Sequence, residues 1–121
     1  MQQYIGTKII HAEPQEKGGA DGYAVVYEDG YKSWSPKDAF ENAYRESDAM
    51  TFGLAIEAIK KGIKVARKGW NGKDMWLELQ VPDAHSKMSL PYIYIKTACD
   101  KKVPWLASQT DALAEDWYTV S

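Results

Sequence analysis

The chain has 121 residues, 45% of them hydrophobic and 26% charged, which is enough for one domain with its own hydrophobic core. The net charge of −2 does not favour a broad nucleic-acid surface, and a single cysteine, Cys99, excludes an internal disulfide and a multi-cysteine metal site. Because the N-terminus lacks the pattern of a signal peptide and no run of about 18 apolar residues occurs, we expect a cytosolic protein without a membrane span.

The first part of the chain has the pattern of a small β-rich unit followed by a helix. Strand character is found over residues 3–10 and again over residues 23–27, and Asp29-Gly30 is typical of a hairpin turn. Ser35-Pro36 then has the composition of a helix start, with the serine as N-cap. This helix is predicted to end near Tyr44-Arg45.

The rest of the chain combines one amphipathic helix with several strands. Thr51 is a suitable N-cap for a helix whose apolar residues recur with helical spacing up to Ile59, and Gly62 suits the left-handed residue that ends it. Strands are predicted at 64–67, 75–81, 92–96 and 117–120, with an extended segment at 103–106 and a short helix from Ser108 to Glu115. The predicted fold class is α+β, a small antiparallel sheet crossed by a helix, with an N-terminal β-hairpin plus helix as an extension.

Basic residues are concentrated from the end of the amphipathic helix to the turn after the next strand. Residues 60–73 carry six Lys or Arg and no acidic residue, which leaves the rest of the chain at about −8. A basic patch on an acidic protein favours a discrete anion site. Cations at a helix C-terminus and on a solvated strand give the same pattern, so both interpretations stay open on charge alone.

Common catalytic and metal-binding patterns are missing from the sequence. His11 and His85 have no cysteine or acidic partner at metal-ligand spacing, and no Gly-rich phosphate loop of Walker type occurs. Cys99 has no evident base beside it that would activate a thiolate. We therefore expect no catalytic residues, no metal and no cofactor.

Several separated motifs occur in the order found in one family of small phage proteins. They are Arg67-Lys68-Gly69-Trp70-Asn71-Gly72, Lys96-Thr97-Ala98, Val103-Pro104-Trp105, Ala107-Ser108-Gln109-Thr110-Asp111 and Leu113-Ala114-Glu115-Asp116-Trp117. On these motifs, residues 50–120 resemble the second type of Thoeris anti-defence protein. The resemblance implies a signal-sequestering domain over residues 50–121. Residues 1–49 are an added piece, similar to a segment common in other small phage proteins.

The resemblance also implies an activity, which is non-enzymatic. Members of the family form homotetramers that bind glyco-cyclic ADP-ribose, an NAD-derived signal made by bacterial TIR proteins, so that the defence effector is never activated. Some relatives also hold cyclic dinucleotides. The implied partner is a small cyclic nucleotide, not a nucleic acid or a membrane, and the implied location is the cytoplasm of the infected bacterial host. Cys99-Asp100 departs from the family pattern, because an Asp-Gly turn is expected there.

Such a ligand needs an aromatic platform for its base, donors for its pyrophosphate and polar groups for its hydroxyls. Trp70 is the predicted stacking residue, and Asn71 is predicted to contact base edges or ribose hydroxyls. Arg67 is predicted to hold the pyrophosphate by paired charge-assisted bonds. Asp111 is assigned to ribose hydroxyls or an exocyclic amine. The predicted ligand-binding residues are Arg67, Trp70, Asn71, Thr97, Trp105, Ser108, Gln109, Thr110 and Asp111.

Structural interpretations of the same residues stay open. Ser108, Gln109 and Thr110 offer donors at a predicted helix N-terminus, but capping alone explains Ser108. Trp70 and Trp105 also fit a core or an interface, Asn71 a turn, Arg67 a solvated strand and Asp111 a cap. Two other functions are open as well: a nucleotide-cleaving enzyme, and a phage structural or protein-interaction module without nucleotide binding.

Overall fold

The computed structural model describes residues 1–70 and 73–121, which form two compact units, Met1–Arg45 and Glu46–Ser121. Each unit combines an antiparallel sheet with helices, and this confirms the predicted α+β class. Within the described residues, no helix is both long enough and apolar enough to cross a membrane.

The first unit is a three-stranded antiparallel sheet, in the order β1-β2-β3, with one helix packed against it. Its elements are β1 (His11–Pro14), β2 (Gly22–Val26), β3 (Lys32–Pro36) and α1 (Lys37–Ala43). Gly18 and Gly19 both take positive φ in the turn between β1 and β2, where an L side chain would be strained. The ring of Tyr23 stacks on Phe40 with centroids 4.1 Å apart, so aromatic packing attaches α1 to the sheet.

Two expectations for this unit are wrong. Residues 3–10 form no strand. His11, the first residue of β1, pairs with Val26, the last residue of β2, so no residue of β2 remains to pair with the residues before His11. Ser35 is not a helix N-cap, because it lies within β3 opposite Tyr23, and α1 starts after Pro36 without a side-chain cap. Pairing across the sheet therefore overrides the local capping pattern.

The second unit is a five-stranded antiparallel sheet in the order β7-β6-β5-β4-β8. Its elements are α2 (Phe52–Lys60), β4 (Lys64–Arg67), β5 (Trp76–Gln80), β6 (Tyr92–Lys96), β7 (Lys102–Pro104), α3 (Gln109–Leu113) and β8 (Trp117–Val120). The predicted strands thus form one sheet, in which the last strand pairs with β4 rather than with its neighbour in sequence.

Helix α2 crosses this sheet and forms the core with it. It begins as predicted, with the Thr51 hydroxyl accepting a hydrogen bond from the backbone N–H of Leu54, and Gly62 follows its end at a φ of 85°. The apolar face of α2 packs against β4, β5 and β8. The buried core consists of Met50, Ala55, Ala58, Ile59, Val65, Leu77 and Trp117.

Two backbone features complete the second unit. Met50 and Trp117 exchange both backbone hydrogen bonds, at 2.8 and 3.2 Å, which covers the outer edge of β8. In the turn between β6 and β7, Asp100 donates its N–H to the Thr97 carbonyl at 3.0 Å and takes a φ of 68°. Aspartate tolerates this left-handed conformation, so Cys99-Asp100 forms the turn for which glycine was expected.

Candidate functional site

The candidate site lies where β4 ends. Arg67 is the last residue of β4 and pairs with Trp117, the first residue of β8. Strand alternation places Arg67 on the same face of the sheet as the buried core residue Val65, which is the face that α2 covers. The arginine side chain is only 13% exposed, so its charge needs partners inside the fold.

Two carboxylates supply those partners. The Arg67 Nε donates to Asp116 Oδ1 at 2.9 Å, and Nη1 donates to Asp111 Oδ1 at 2.7 Å. Hydrogen bonds to Asp116 and then to Asp111 outweigh the opposing effect of burial and raise the pKa of Arg67 above its usual value. Arg67 is therefore not the solvated strand arginine that the sequence left open, and the three groups together carry a charge of −1.

Asp111 is the acceptor that connects the end of β4 to α3. It accepts from Arg67, from the Trp70 indole Nε1 at 3.1 Å and from the Ser108 backbone N–H at 3.3 Å. Burial raises the pKa of the Asp111 carboxyl, but these hydrogen bonds outweigh it, so the pKa lies below its usual value. The Ser108 hydroxyl accepts in turn from the Asp111 backbone N–H, which completes a capping box.

Aromatic rings pack around the fully buried Trp117. Trp70 meets it edge-on, with centroids 5.5 Å apart at 80°, and Trp105 meets it at 6.1 Å and 85°. Phe52 of α2 contacts both of these rings, with centroids 6.1 Å from Trp105 and 5.4 Å from Trp117. Trp70 and Trp105 are both half-buried, so each combines a packing contact with some accessible ring surface.

The structure brings together five of the predicted residues. Arg67, Trp70, Ser108 and Asp111 share one hydrogen-bond network, and Trp105 reaches Trp70 through Trp117. Of the remaining four predicted residues, Gln109 and Thr110 are exposed on α3, Thr97 lies in the β6–β7 turn, and Asn71 lies outside the described residues. In that turn the Thr97 hydroxyl accepts from the Lys101 N–H at 3.0 Å and so stabilises the turn.

Asp116 and Gly69 belong to this network but were not among the predicted residues. Asp116 Oδ2 accepts the Gly69 N–H at 2.8 Å, while Oδ1 accepts from Arg67. The hydrogen bond from Arg67 is the main cause that lowers the pKa of Asp116, with the Gly69 N–H acting in the same direction. In the fold, the pairing of Arg67 with Trp117 puts the residue before Trp117 next to the turn that follows Arg67, and no local sequence pattern indicates that pairing.

The arrangement is suited to binding through rings and polar acceptors. Across residues 1–70 and 73–121, no group of three or more His, Cys, Asp or Glu is placed to hold a metal ion. The two carboxylates can accept from hydroxyls or amines, whereas a phosphate has to compete with them for Arg67. Lys68, next in the chain, is 54% exposed and lies 3.7 Å from Asp48, so its amine is more accessible to an anion.

Comparison with known proteins places most of the second unit in one family. Residues 50–120 match the family model described as a Thoeris anti-defense 2-like domain. The chain is also 45% identical over 85 residues to a Bacillus phage SP01 protein named Thoeris anti-defense 2; the match covers 60% of this chain and 96% of that protein. The matched residues include every predicted ligand-binding residue as well as Asp116.

Proposed function

The chain belongs to the Thoeris anti-defense 2-like family, and from this premise we propose that it binds and sequesters a cyclic nucleotide immune signal without cleaving it. Membership of this family supports a phage anti-defence role. The finer proposal is that the ligand is glyco-cyclic ADP-ribose, with cyclic dinucleotides as a second ligand class, and that the protein acts in the cytoplasm of the infected host. The observation that carries it is the single network joining Arg67, Trp70, Ser108 and Asp111.

The half-buried Trp70 supports this proposal. Its indole N–H is bound to Asp111 and its ring makes a T-shaped contact with Trp117, so its orientation is fixed before any ligand arrives. A preorganised ring loses less conformational entropy on binding, and stacking of a base on it contributes roughly 1–3 kcal/mol. Asn71 follows Trp70 directly in the chain and is proposed to contact the base or a ribose.

Ribose hydroxyls and the pyrophosphate are assigned to different groups. Asp111, Gln109 and Thr110 lie on α3 and offer acceptors and donors for hydroxyls and exocyclic amines. Arg67 and the exposed Lys68 are the cations of the same turn, and we propose that the pyrophosphate approaches them from the solvent side. Thr97 and Trp105 are proposed as lining residues.

A homotetramer is part of the proposal, for an energetic reason. A nanomolar ligand requires about −12 kcal/mol. One stacked base and three or four charge-assisted bonds contribute about 1.5–3 kcal/mol per bond, and they must also offset the free-energy cost of immobilising the ligand. A pocket completed by a second protomer supplies additional contacts. Leu106 and Leu113, which flank and end α3, are 90% and 79% exposed and offer apolar surface for such contacts.

The same exposed leucines favour the second candidate function, a protein-interaction module without nucleotide affinity. The two candidates are separated by titrating purified protein with glyco-cyclic ADP-ribose in a calorimeter, then heating the complex and identifying the released nucleotide. Tight binding with intact ligand recovered is the expected result. Cleaved ligand would identify an enzyme instead, and no heat with either glyco-cyclic ADP-ribose or a cyclic dinucleotide would leave the interaction module.

A pair of tryptophan variants shows whether binding uses the proposed site. Trp70→Ala is expected to lose the ligand-induced rise in Tm, while Trp34→Ala, in the first unit and outside the family match, keeps it. Size-exclusion chromatography and circular dichroism of each variant establish folding and assembly. A folded Trp70→Ala variant that binds like the wild type would exclude Trp70 as the stacking residue.

A further inference from the structure

Asp116 binds three consecutive residues, the last residue of β4 and the first two of the turn that follows it. Its carboxylate accepts from the Arg67 side chain at 2.9 Å and from the Gly69 backbone N–H at 2.8 Å. Its backbone carbonyl accepts from the Lys68 N–H at 3.2 Å. The turn that leads to Trp70 is therefore attached to Asp116 by one side-chain and two backbone donors.

Gly69 fits this attachment because it has no side chain. A Cβ atom at position 69 would lie 2.9 Å from Asp116 Oδ2, closer than such atoms approach in proteins, and 3.1 Å from Arg67 Nη2, which is tighter than most Cβ contacts. Its backbone φ is not in the left-handed region, so close approach and not conformational freedom is the reason for glycine here. The glycine and the carboxylate are thus complementary parts of one contact.

Two hydrogen bonds fix Trp70, one from its backbone and one from its indole ring. Its backbone N–H donates to the Arg67 carbonyl at 3.3 Å, and its indole N–H donates to Asp111. Asp116 accepts hydrogen bonds from the backbone that precedes Trp70, and Asp111 accepts one from the indole ring itself. The Asp116 carboxylate accepts from Arg67 and Gly69 and not from the Trp70 indole N–H, so its influence on that ring passes through Arg67 and Gly69.

We propose that Asp116 is a positioning residue for nucleotide binding: it holds the Arg67 side chain and the backbone of residues 68 and 69 so that Trp70 is presented in one orientation, without touching the ligand itself. The inference rests on the proposed function. It differs from the simpler role of neutralising Arg67, because neutralisation needs only the negative charge. Positioning also requires the bond to the Gly69 N–H.

Asp116→Asn and Gly69→Ala break the contact in independent ways. The first removes the charge and replaces one acceptor oxygen with an amide nitrogen. The second keeps the charge but pushes the carboxylate away from the backbone. Asp48→Asn is the matched control, because it removes the same charge from an exposed carboxylate that pairs with Lys68 of the same turn.

The first measurement uses the ligand-free protein, so it does not depend on the proposed function. In NMR spectra of the full chain, the Trp70 indole N–H resonance is expected to move or broaden in both Asp116→Asn and Gly69→Ala, and to stay unchanged in Asp48→Asn. An unchanged Trp70 resonance in either of the first two variants would overturn the proposal. A shift in Asp116→Asn alone would assign Asp116 to the neutralisation of Arg67.

The second measurement is the affinity for glyco-cyclic ADP-ribose by calorimetry. Both variants are expected to bind at least tenfold more weakly than the wild type, and Asp48→Asn to bind within about twofold of it. Wild-type affinity in a variant whose Trp70 resonance has moved would overturn the link between positioning and binding. If the wild type does not bind, the proposed function fails, and the NMR result still decides whether Asp116 orients Trp70. Gly69→Ala keeps the test available if Asp116→Asn does not fold.

Discussion

Arg67 and Asp111 lie 44 positions apart in the chain, and the Nη1 atom of the arginine donates to Oδ1 of the aspartate at 2.7 Å. Both side chains are only 13% exposed, so this pair is shielded from water to a degree that a surface ion pair is not. With Asp116 bound to its Nε atom, the arginine connects β4 both to α3 and to the residue that precedes β8. The stability of the site therefore depends on this one cation.

Replacement of Arg67 is expected to destabilise the protein strongly. Arg67→Met leaves two carboxylates close together in a half-buried place, and the cost is roughly 3 kcal/mol. Lys68→Met is the control, since Lys68 and Asp48 are 54% and 61% exposed and such a pair contributes less than about 1 kcal/mol. Urea denaturation measures both values. Equal losses of unfolding free energy in the two variants would contradict the larger contribution of Arg67 to stability.

Trp70→Phe separates the ring of Trp70 from its hydrogen bond. The phenyl ring keeps a stacking surface, but the donor to Asp111 is lost, so the free energy of unfolding is expected to fall by about 1 kcal/mol while ligand binding persists. Trp105→Phe is the matched control, because Trp105 packs on the same Trp117 without a bond to Asp111. Chemical denaturation and calorimetry are the measurements. A complete loss of binding in Trp70→Phe would assign ligand contact to the indole N–H.

Removal of the Ser108 hydroxyl tests capping against ligand contact. Ser108→Ala and Thr51→Ala each remove the side-chain cap of one helix, and each is expected to cost about 1 kcal/mol of stability. Only Ser108 belongs to the network around Asp111, so only Ser108→Ala is expected to weaken ligand binding, by severalfold. Unfolding by urea and titration with glyco-cyclic ADP-ribose give the two quantities. Unchanged affinity in Ser108→Ala would leave that residue as a cap alone.

The lowered pKa values of Asp111 and Asp116 predict how the stability of the fold depends on pH. Their pKa values lie below the ordinary value of 3.8 in the folded protein, so the ionised forms stabilise the fold fully above that pH. As the pH falls below 3.8 and through the lowered pKa values, protonation removes this stabilisation and Tm decreases. Asp116→Asn is expected to reduce the decrease. Asp48→Asn is the control, because it removes one negative charge from a carboxylate that is 61% exposed and pairs with Lys68. A Tm profile of Asp116→Asn as steep as that of the wild type would contradict the prediction.

Local patterns predicted those parts of the fold that depend on near neighbours. The cap at Thr51 and the left-handed Gly62 follow from rules that act within one helical turn, and the structure confirms both. The predicted helix cap at Ser35 is wrong because pairing with a distant strand, and not the neighbouring residues, decides its conformation. Its local sequence favours a cap, but its strand pairs with Tyr23, and a capping rule contains no information about that pairing.

The candidate site illustrates the same limit. Trp70 and Asp111 were singled out separately, and nothing in their spacing of 41 positions indicated that the indole N–H would meet that carboxylate. Asp116 was missed as a site residue because its partners, Arg67 and Gly69, lie 49 and 47 positions away. Only the order of strands in the sheet, with β8 beside β4, brings these residues together, and hydrophobic periodicity does not determine that order.

The paired backbone hydrogen bonds of Met50 and Trp117 bring the start and the end of the second unit side by side. The Thr119 N–H donates to the Ser47 carbonyl at 3.1 Å, so the first residues of the unit lie beside the end of β8, and a short linker could join the two ends without moving a strand. A new break in the exposed loop between β5 and β6 would then interrupt no strand pairing. Circular permutants opened at residues 83–88 should keep the sheet order and with it the contacts of Asp116, because the site depends on which strands lie side by side and not on the order in which the chain visits them.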